Sequence, residues 1–345
     1  MSGTSSVRIG VAIALFSPAL AAIGATSENW SELSRYALGG SGGWDLMTVD
    51  AAARRLYVTR GDHLMVVDVD TGKSVGDLPG LKRAHGVALV PRQHRGYVSS
   101  GEDDRVVAFD LATLKPIGEI ATGKNPDAML FDAASGHVFA FNGHSNDATV
   151  IDPATNKVVA TIPLPGKPEL AVSDDHGKIY VNLEDRGEVA RLDSKTAKVE
   201  TTWSLGQCEE PSGLAMDVTH HRLFSVCGNH RMVVSDARDG HIVASVPIGD
   251  GPDGAAFDAS TATAFSSNSD GTLTIVHEDD ADHFHVVANV PTPPRSRTIT
   301  LDPKTHHAIL ATAEFEPAPA ADATGTHPRP AMKPGTFGIL LVGRK

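Results

Sequence analysis

A phrase of about 40 residues recurs along this chain, and that period limits the fold more than any other feature. Its clearest copy runs from Arg55 to Lys73. Leu56 to Thr59 and Leu64 to Val67 have the β-branched and aromatic content of two strands, a polar turn separates them, and Asp68 to Lys73 closes the unit as Asp-x-x-Thr-Gly-Lys. The phrase returns as Gly96-Tyr-Val-Ser with Val106 to Lys115, as Val138-Phe-Ala-Phe with Thr149 to Lys157, and as Ile179-Tyr-Val-Asn with Val189 to Lys198. Weaker copies are Leu223-Phe-Ser-Val with Val233 to Asp236, and Ala264-Phe-Ser-Ser with Leu273 to Val276. Four short strands per repeat of this length predict a β-propeller.

The two ends complete each other. Glu32 to Gly39 reads as the fourth strand of a repeat that has lost its first three, while Arg297 to Leu301, Ala308 to Thr312 and Phe337 to Val342 supply three strands with no fourth. Pairing them closes a ring and removes open sheet edges. The expectation is therefore an all-β, seven-bladed β-propeller, one domain over 27–345, with the last blade closed by the N-terminal strand. Residues 317–334, rich in Pro and Ala, interrupt the last repeat between its second and third strands and predict a long loop insert.

Before the first repeat, Arg8 is the only charge ahead of an apolar run from Ile9 to Phe16, Ser17-Pro18 follows, and Ala19-Leu-Ala21 offers a small-x-small cleavage site. Residues 1–21 are expected to be a signal peptide, too short in its apolar run to span a bilayer. The protein is then periplasmic or secreted. The formal charge is −12, which argues against a nucleic-acid partner, because such affinity comes mainly from Lys and Arg neutralising phosphates.

Two columns of aspartates recur with the repeat: Asp50, Asp132, Asp174, Asp217, Asp258 and Asp302 after the first strand, and Asp68, Asp110, Asp152, Asp193 and Asp236 after the third. Both are expected to cap their own turns. Val90-Pro91 replaces the first column in the second repeat, and His277 breaks the second. His220-His221 and His306-His307 fall in the first turns and are expected at the surface, on the face away from the candidate site.

With these residues in view, the chain resembles the YVTN-repeat, or YncE-like, family of secreted seven-bladed propellers. Tyr57-Val-Thr59 retains most of the naming motif, Tyr97-Val-Ser99 and Tyr180-Val-Asn182 are close variants, and Asn125-Pro-Asp-Ala-Met-Leu-Phe-Asp132 with Gly251-Pro-Asp-Gly-Ala-Ala-Phe-Asp258 looks like that family's strand entry. The resemblance covers essentially the whole chain after the leader and implies the fold. It does not imply one activity, since related propellers include binding proteins, lyases and subunits of redox enzymes.

Placing the repeats on a propeller puts one residue per blade at the entry to the innermost strand: Asp45, His85, Asp127, Glu169, Ser212, Asp253 and Arg297. The loops between second and third strands add His63, Glu102, Asp103, His144, Asp147, Glu184, Asp185, His230 and Asp270 to the same face. Carboxylates and imidazoles gathered at a concave mouth suit cations and divalent metals. Asp45, His85, Asp127, Glu169, Asp253 and Arg297 are thus the candidate ligand-binding residues, with His85, His144 and His230 as candidate metal ligands. A divalent metal ion is the one cofactor these donors suggest. The plainer alternative is a hydrated channel lining that satisfies neighbouring loops.

Enzyme signatures are absent: no Gly-x-Ser-x-Gly, no His-Glu-x-x-His, no phosphate-binding Gly-x-x-x-x-Gly-Lys, and no Cys-x-x-Cys-His. The three tryptophans do not recur at the repeat period, as a quinone-dependent dehydrogenase would require. The sequence therefore points to a monomeric binding or scaffold module that uses an acidic mouth for a cation, a small ligand or another periplasmic protein. The alternatives are a metal-dependent lyase or hydrolase at the same mouth, with one of its histidines as base, and a structural subunit of a redox complex. Cys208 in the loop entering the fifth repeat and Cys227 at the end of that repeat's second strand reach the same face of one blade. They are expected to form a disulfide in an oxidising compartment, the alternative being two separately buried thiols.

Overall fold

The computed structural model describes residues 29–317 and 330–345, with Met1 and Gly3; the expected leader over 1–21 and the middle of the insert, 318–329, lie outside the described residues. Seven four-stranded antiparallel sheets form the blades. Their innermost strands are Met47–Asp50, Val87–Val90, Pro126–Asp132, Pro168–Ser173, Pro211–Asp217, Pro252–Asp258 and Ile299–Asp302. Each touches the next around the ring, and the last touches the first. The chain is a seven-bladed β-propeller.

Burial explains the residue choice. The second strand of each blade is sandwiched between neighbouring blades, so it reads as a continuous apolar run: all six residues of Arg222–Cys227 are buried. The outermost strands face solvent on one side and alternate, as Lys198–Ser204 does. The described residues form seven apolar clusters, and each bridges two consecutive blades. Burying these seams is the main stabilising term, and no blade has a core of its own.

Blade seven takes its outer strand from the N-terminus. Trp30–Ala37 pairs antiparallel with Gly338–Arg344, from Trp30 opposite Arg344 to Ala37 opposite Gly338, with a bulge between Glu32 and Ser34. Blade seven then packs on blade one through Ile339, Leu341, Leu56 and Val58. Tyr36 lies on Gly72 of blade one, whose φ is +67°, and a Cβ on Gly72 would come within 2.3 Å of the ring. Only glycine meets both demands. Arg54 of blade one adds an ion pair to buried Asp302 of blade seven, at 2.6 Å.

Both aspartate columns cap their turns as expected. Asp132 accepts from Ser135 N at 2.7 Å and Asp193 from Thr196 N at 2.7 Å, with equivalent bonds at the other members. Where Val90-Pro91 replaces the aspartate, a 3-10 turn over Pro91–Gln93 ends on left-handed His94. Cys208 and Cys227 form a disulfide within blade five, with a Cα separation of 5.3 Å. Among the described residues, no helix is long and apolar enough to cross a membrane.

Candidate functional site

The third residue of the Tyr-Val-x phrase positions the mouth. Thr59 Oγ1 donates to the carbonyl of His85 at 2.8 Å, and Ser99 Oγ donates to the carbonyl of Asp127 at 3.0 Å. Asn182 Nδ2 donates to the carbonyl of Ser212 at 3.1 Å, and Ser267 Oγ to that of Arg297. All four side chains are fully buried. In each case a polar group on the second strand of one blade fixes the backbone at the inner-strand entry of the next. The repeat motif is thus the support on which the site residues stand, a role that motif matching alone does not reveal.

A cavity of about 430 Å³ opens at these entries, and all seven column residues, Asp45, His85, Asp127, Glu169, Ser212, Asp253 and Arg297, line it. Of the rim residues expected from the second-to-third-strand loops, only Glu184 reaches it; Arg83 and Lys167 complete its charged lining. His144 and His230 do not line the cavity. Both are exposed, and His230 Nε2 sits 3.2 Å from Asp250 on the outer rim. The structure therefore does not bring His85, His144 and His230 together as one ligand set, because the last two stand exposed outside the cavity that holds the first.

His85 is the best-held side chain in the mouth, with 7 % of its side chain exposed. Its Nδ1 lies 2.5 Å from Asp45 Oδ2 and 3.8 Å from Asp127 Oδ1. One donor atom from each of these three residues falls within 4.8 Å of the others. The far nitrogen, Nε2, is buried without a hydrogen-bond partner and packs close to Gly101, so Nδ1 is the atom that faces the carboxylates. Burial alone would lower the pKa of His85, but the bond to Asp45 and the charges of Asp127 and Asp45 outweigh it and raise it. Burial pushes Asp127 up to about 6; His85 opposes that shift and Asp45 adds to it.

Across the mouth, Lys167 Nζ bonds to Glu169 at 2.8 Å and also to Glu184. Glu169 is pushed up to about 8, first by burial and then by the charge of Asp127, with Lys167 pulling the other way. Arg297 Nη1 pairs with Asp253 at 3.2 Å. Sequence reasoning missed Lys167, although its position two residues before the Glu169 column was a visible signal. Five carboxylates (Asp45, Asp127, Glu169, Glu184 and Asp253) face three permanent cations (Arg83, Lys167 and Arg297); with Glu169 pushed up to about 8 and so mostly protonated at neutral pH, the formal surplus of two negative charges falls to one before any charge on His85. Asp45 and Asp127 face the His85 imidazole.

The flanks of the insert border the same mouth. Phe315 pairs with Met332 as an isolated bridge, and the Phe315 ring lies 6.0 Å from that of Trp44. Trp44 itself lines the cavity and donates Nε1 to Thr298 Oγ1 at 3.1 Å.

No family model matches the chain, and no curated protein sequence matches it. Many solved structures do. One is hydrazine synthase of Kuenenia stuttgartiensis, which superposes with a TM-score of 0.70 at 17 % identity, over 88 % of this chain and 96 % of that chain. At that identity the likeness is one of fold: this chain is similar to a propeller-bearing enzyme in architecture.

Proposed function

We propose that this protein is an exported ligand-binding propeller of the YVTN-repeat type, whose mouth captures a small cation through Asp45, His85 and Asp127. The observation that carries this reading is the convergence of those three donors from three blades within 4.8 Å of one another. A divalent metal ion is the simplest ligand. One imidazole and two carboxylates form an N/O donor set. The leader-like sequence and the disulfide support export.

Calorimetry with Ca²⁺, Mn²⁺ and Zn²⁺ at low salt tests it. Binding should weaken as salt rises and should fall at least about tenfold in Asp127→Asn and in His85→Ala, each of which removes a direct ligand. Asp250→Asn, on the outer rim, should leave it unchanged. Absence of heat for every metal, or equal losses in the mouth and rim variants, would remove the mouth as the site.

A further inference from the structure

On the face opposite the mouth, blade six departs from the repeat. Its third and fourth strands, Thr272–Asp280 and His283–Pro291, each run nine residues, against six for the corresponding strands of blade five, Arg231–Asp236 and Ile242–Pro247. The longer hairpin reaches over the first turn of blade five. Arg222 fastens it there: Nε donates to the carbonyl of Ala281 at 2.6 Å, and Nη2 lies 3.2 Å from Asp282.

The crevice between the two blades holds a second donor cluster. His220 Nδ1 lies 2.7 Å from Asp217 Oδ2 and 2.9 Å from Glu278 Oε1. The imidazole is exposed, whereas the two carboxylate side chains are 3 % and 1 % exposed. Glu278 Oε2 is buried and has no hydrogen-bond partner. Capping its own turn explains Asp217; it does not explain a buried glutamate with one oxygen orphaned beside it. Arg222 is close, but it donates to Asp236, Asp282 and main-chain carbonyls.

We propose that Asp217, His220 and Glu278 form a binding site for a divalent transition-metal ion of the zinc class, joining blade five to blade six. Zinc takes imidazole nitrogen and carboxylate oxygen at about 2.0–2.2 Å, which places tetrahedral ligands roughly 3.4 Å apart. The donors here lie within 4.8 Å of one another. The two short contacts need to open by roughly 0.5–0.7 Å to reach that spacing, and the exposed His220 ring can swing outward to allow it. A metal held by both oxygens of Glu278 would engage the orphaned one, and Thr219 N, 2.9 Å from Asp217 Oδ1, orients the other carboxylate. The fourth position opens to solvent on the His220 side. The nearby group Asp236, Asp239 and His241 carries no such role, because Arg222 and Arg238 already occupy the Asp236 carboxylate.

Zinc titration of the full chain by calorimetry at neutral pH tests the site, with wild type, Glu278→Gln, His220→Ala and Asp127→Asn compared. Glu278→Gln and His220→Ala should each weaken one zinc equivalent at least about tenfold, while Asp127→Asn leaves that equivalent in place. Glu278→Gln keeps the shape and an accepting oxygen, and His220 is exposed, so both variants should retain the wild-type circular dichroism. Wild-type zinc binding in both Glu278→Gln and His220→Ala would overturn the proposal and leave a protonated His220 bridging two carboxylates. Loss in Asp127→Asn alone would assign all zinc binding to the mouth and overturn this site; loss confined to Glu278→Gln and His220→Ala would sustain it and take zinc away from the mouth.

Discussion

Substituting Arg54 tests how the ring is held shut. Its guanidinium donates to both oxygens of Asp302, at 2.8 and 2.6 Å, and to Asp70 at 3.0 and 2.6 Å. Asp302 belongs to blade seven and is 2 % exposed, so the pair crosses the seam where the two ends of the chain meet. Burial alone would raise the Asp302 pKa, but the bonds from Arg54, Thr305 and Lys304 N bring it down to about 2. Against an ordinary value of 3.8, that depression corresponds to about 2.4 kcal/mol at neutral pH. Arg54→Ala leaves the carboxylate buried with only its turn bonds, and breaking such a pair costs about 3–5 kcal/mol. For roughly 300 ordered residues, a loss of about 3 kcal/mol lowers the melting temperature by about 5 °C. The pH dependence gives the sign. In wild type the lowered pKa stabilises above about 3.8, and that contribution is lost as pH falls toward 2. In the variant, burial unopposed by Arg54 raises the pKa, so the penalty present at pH 7 shrinks on acidification. Thermal melts of wild type and Arg54→Ala at pH 7 and about pH 4.5 should therefore converge at the lower pH. Adding Asp302→Asn should restore part of the loss. A cost below about 1 kcal/mol, the range of an exposed pair, or a double variant no better than the single, would refute the latch.

Two further outcomes are expected. Replacing Cys208 and Cys227 together by Ser should cost about 3 kcal/mol, because the bond closes a loop with a sequence separation of 19; two titratable thiols in unreduced, denatured wild type would contradict the bond. Cation capture at the mouth should release up to about one proton at pH 7, since neutralising Asp127 removes part of what holds Glu169 at about 8. Calorimetry in buffers of different ionisation enthalpy measures that proton, and Glu169→Gln should abolish its release without abolishing binding.

The architecture was legible in the sequence for a physical reason. Each blade buries its second strand on both faces and caps its turns with Asp, so apolar runs and aspartates recur at one spacing. The split blade was equally readable, since Glu32–Gly39 has the character of a fourth strand and the last repeat lacks one. The column at the inner-strand entries survived because the propeller maps equal repeat positions onto equal places around the axis. Groups that act off the period escaped. Lys167 joins Glu169 to Glu184 from two residues ahead of the column, where Arg83 also lines the cavity. His220, expected as a plain surface residue, is exposed yet touches two buried carboxylates. His306 likewise bonds to Asp258 and Ser260 of the neighbouring blade. Glu278 was hidden because it sits in the added length of the blade-six hairpin; the break of the aspartate column at His277 was the only trace of that length.

The inner strands also bear on where an ion held at the mouth, as proposed, could go. Charged residues stand at the strand entries and again at the far ends, as Asp258 and Asp302, with a largely apolar stretch between them. Directly behind the entries, Leu46, Ala128 and Leu170 begin an apolar lining. Further along, Met47, Val49, Val172, Leu214, Phe257 and Ile299 surround a second cavity of about 660 Å³. An ion moving inward from Asp45 and Asp127 would leave its carboxylate ligands and cross a mainly apolar stretch, broken by Thr48 and Thr300, before it met Asp258, Asp302 and His306. Stripping charge of both water and ligands costs several kcal/mol even after relaxation. The same repeat that focuses carboxylates at one end therefore raises a barrier behind them. On the proposed reading, a charged ligand would enter and leave by the mouth, and the channel would serve for capture and not for passage.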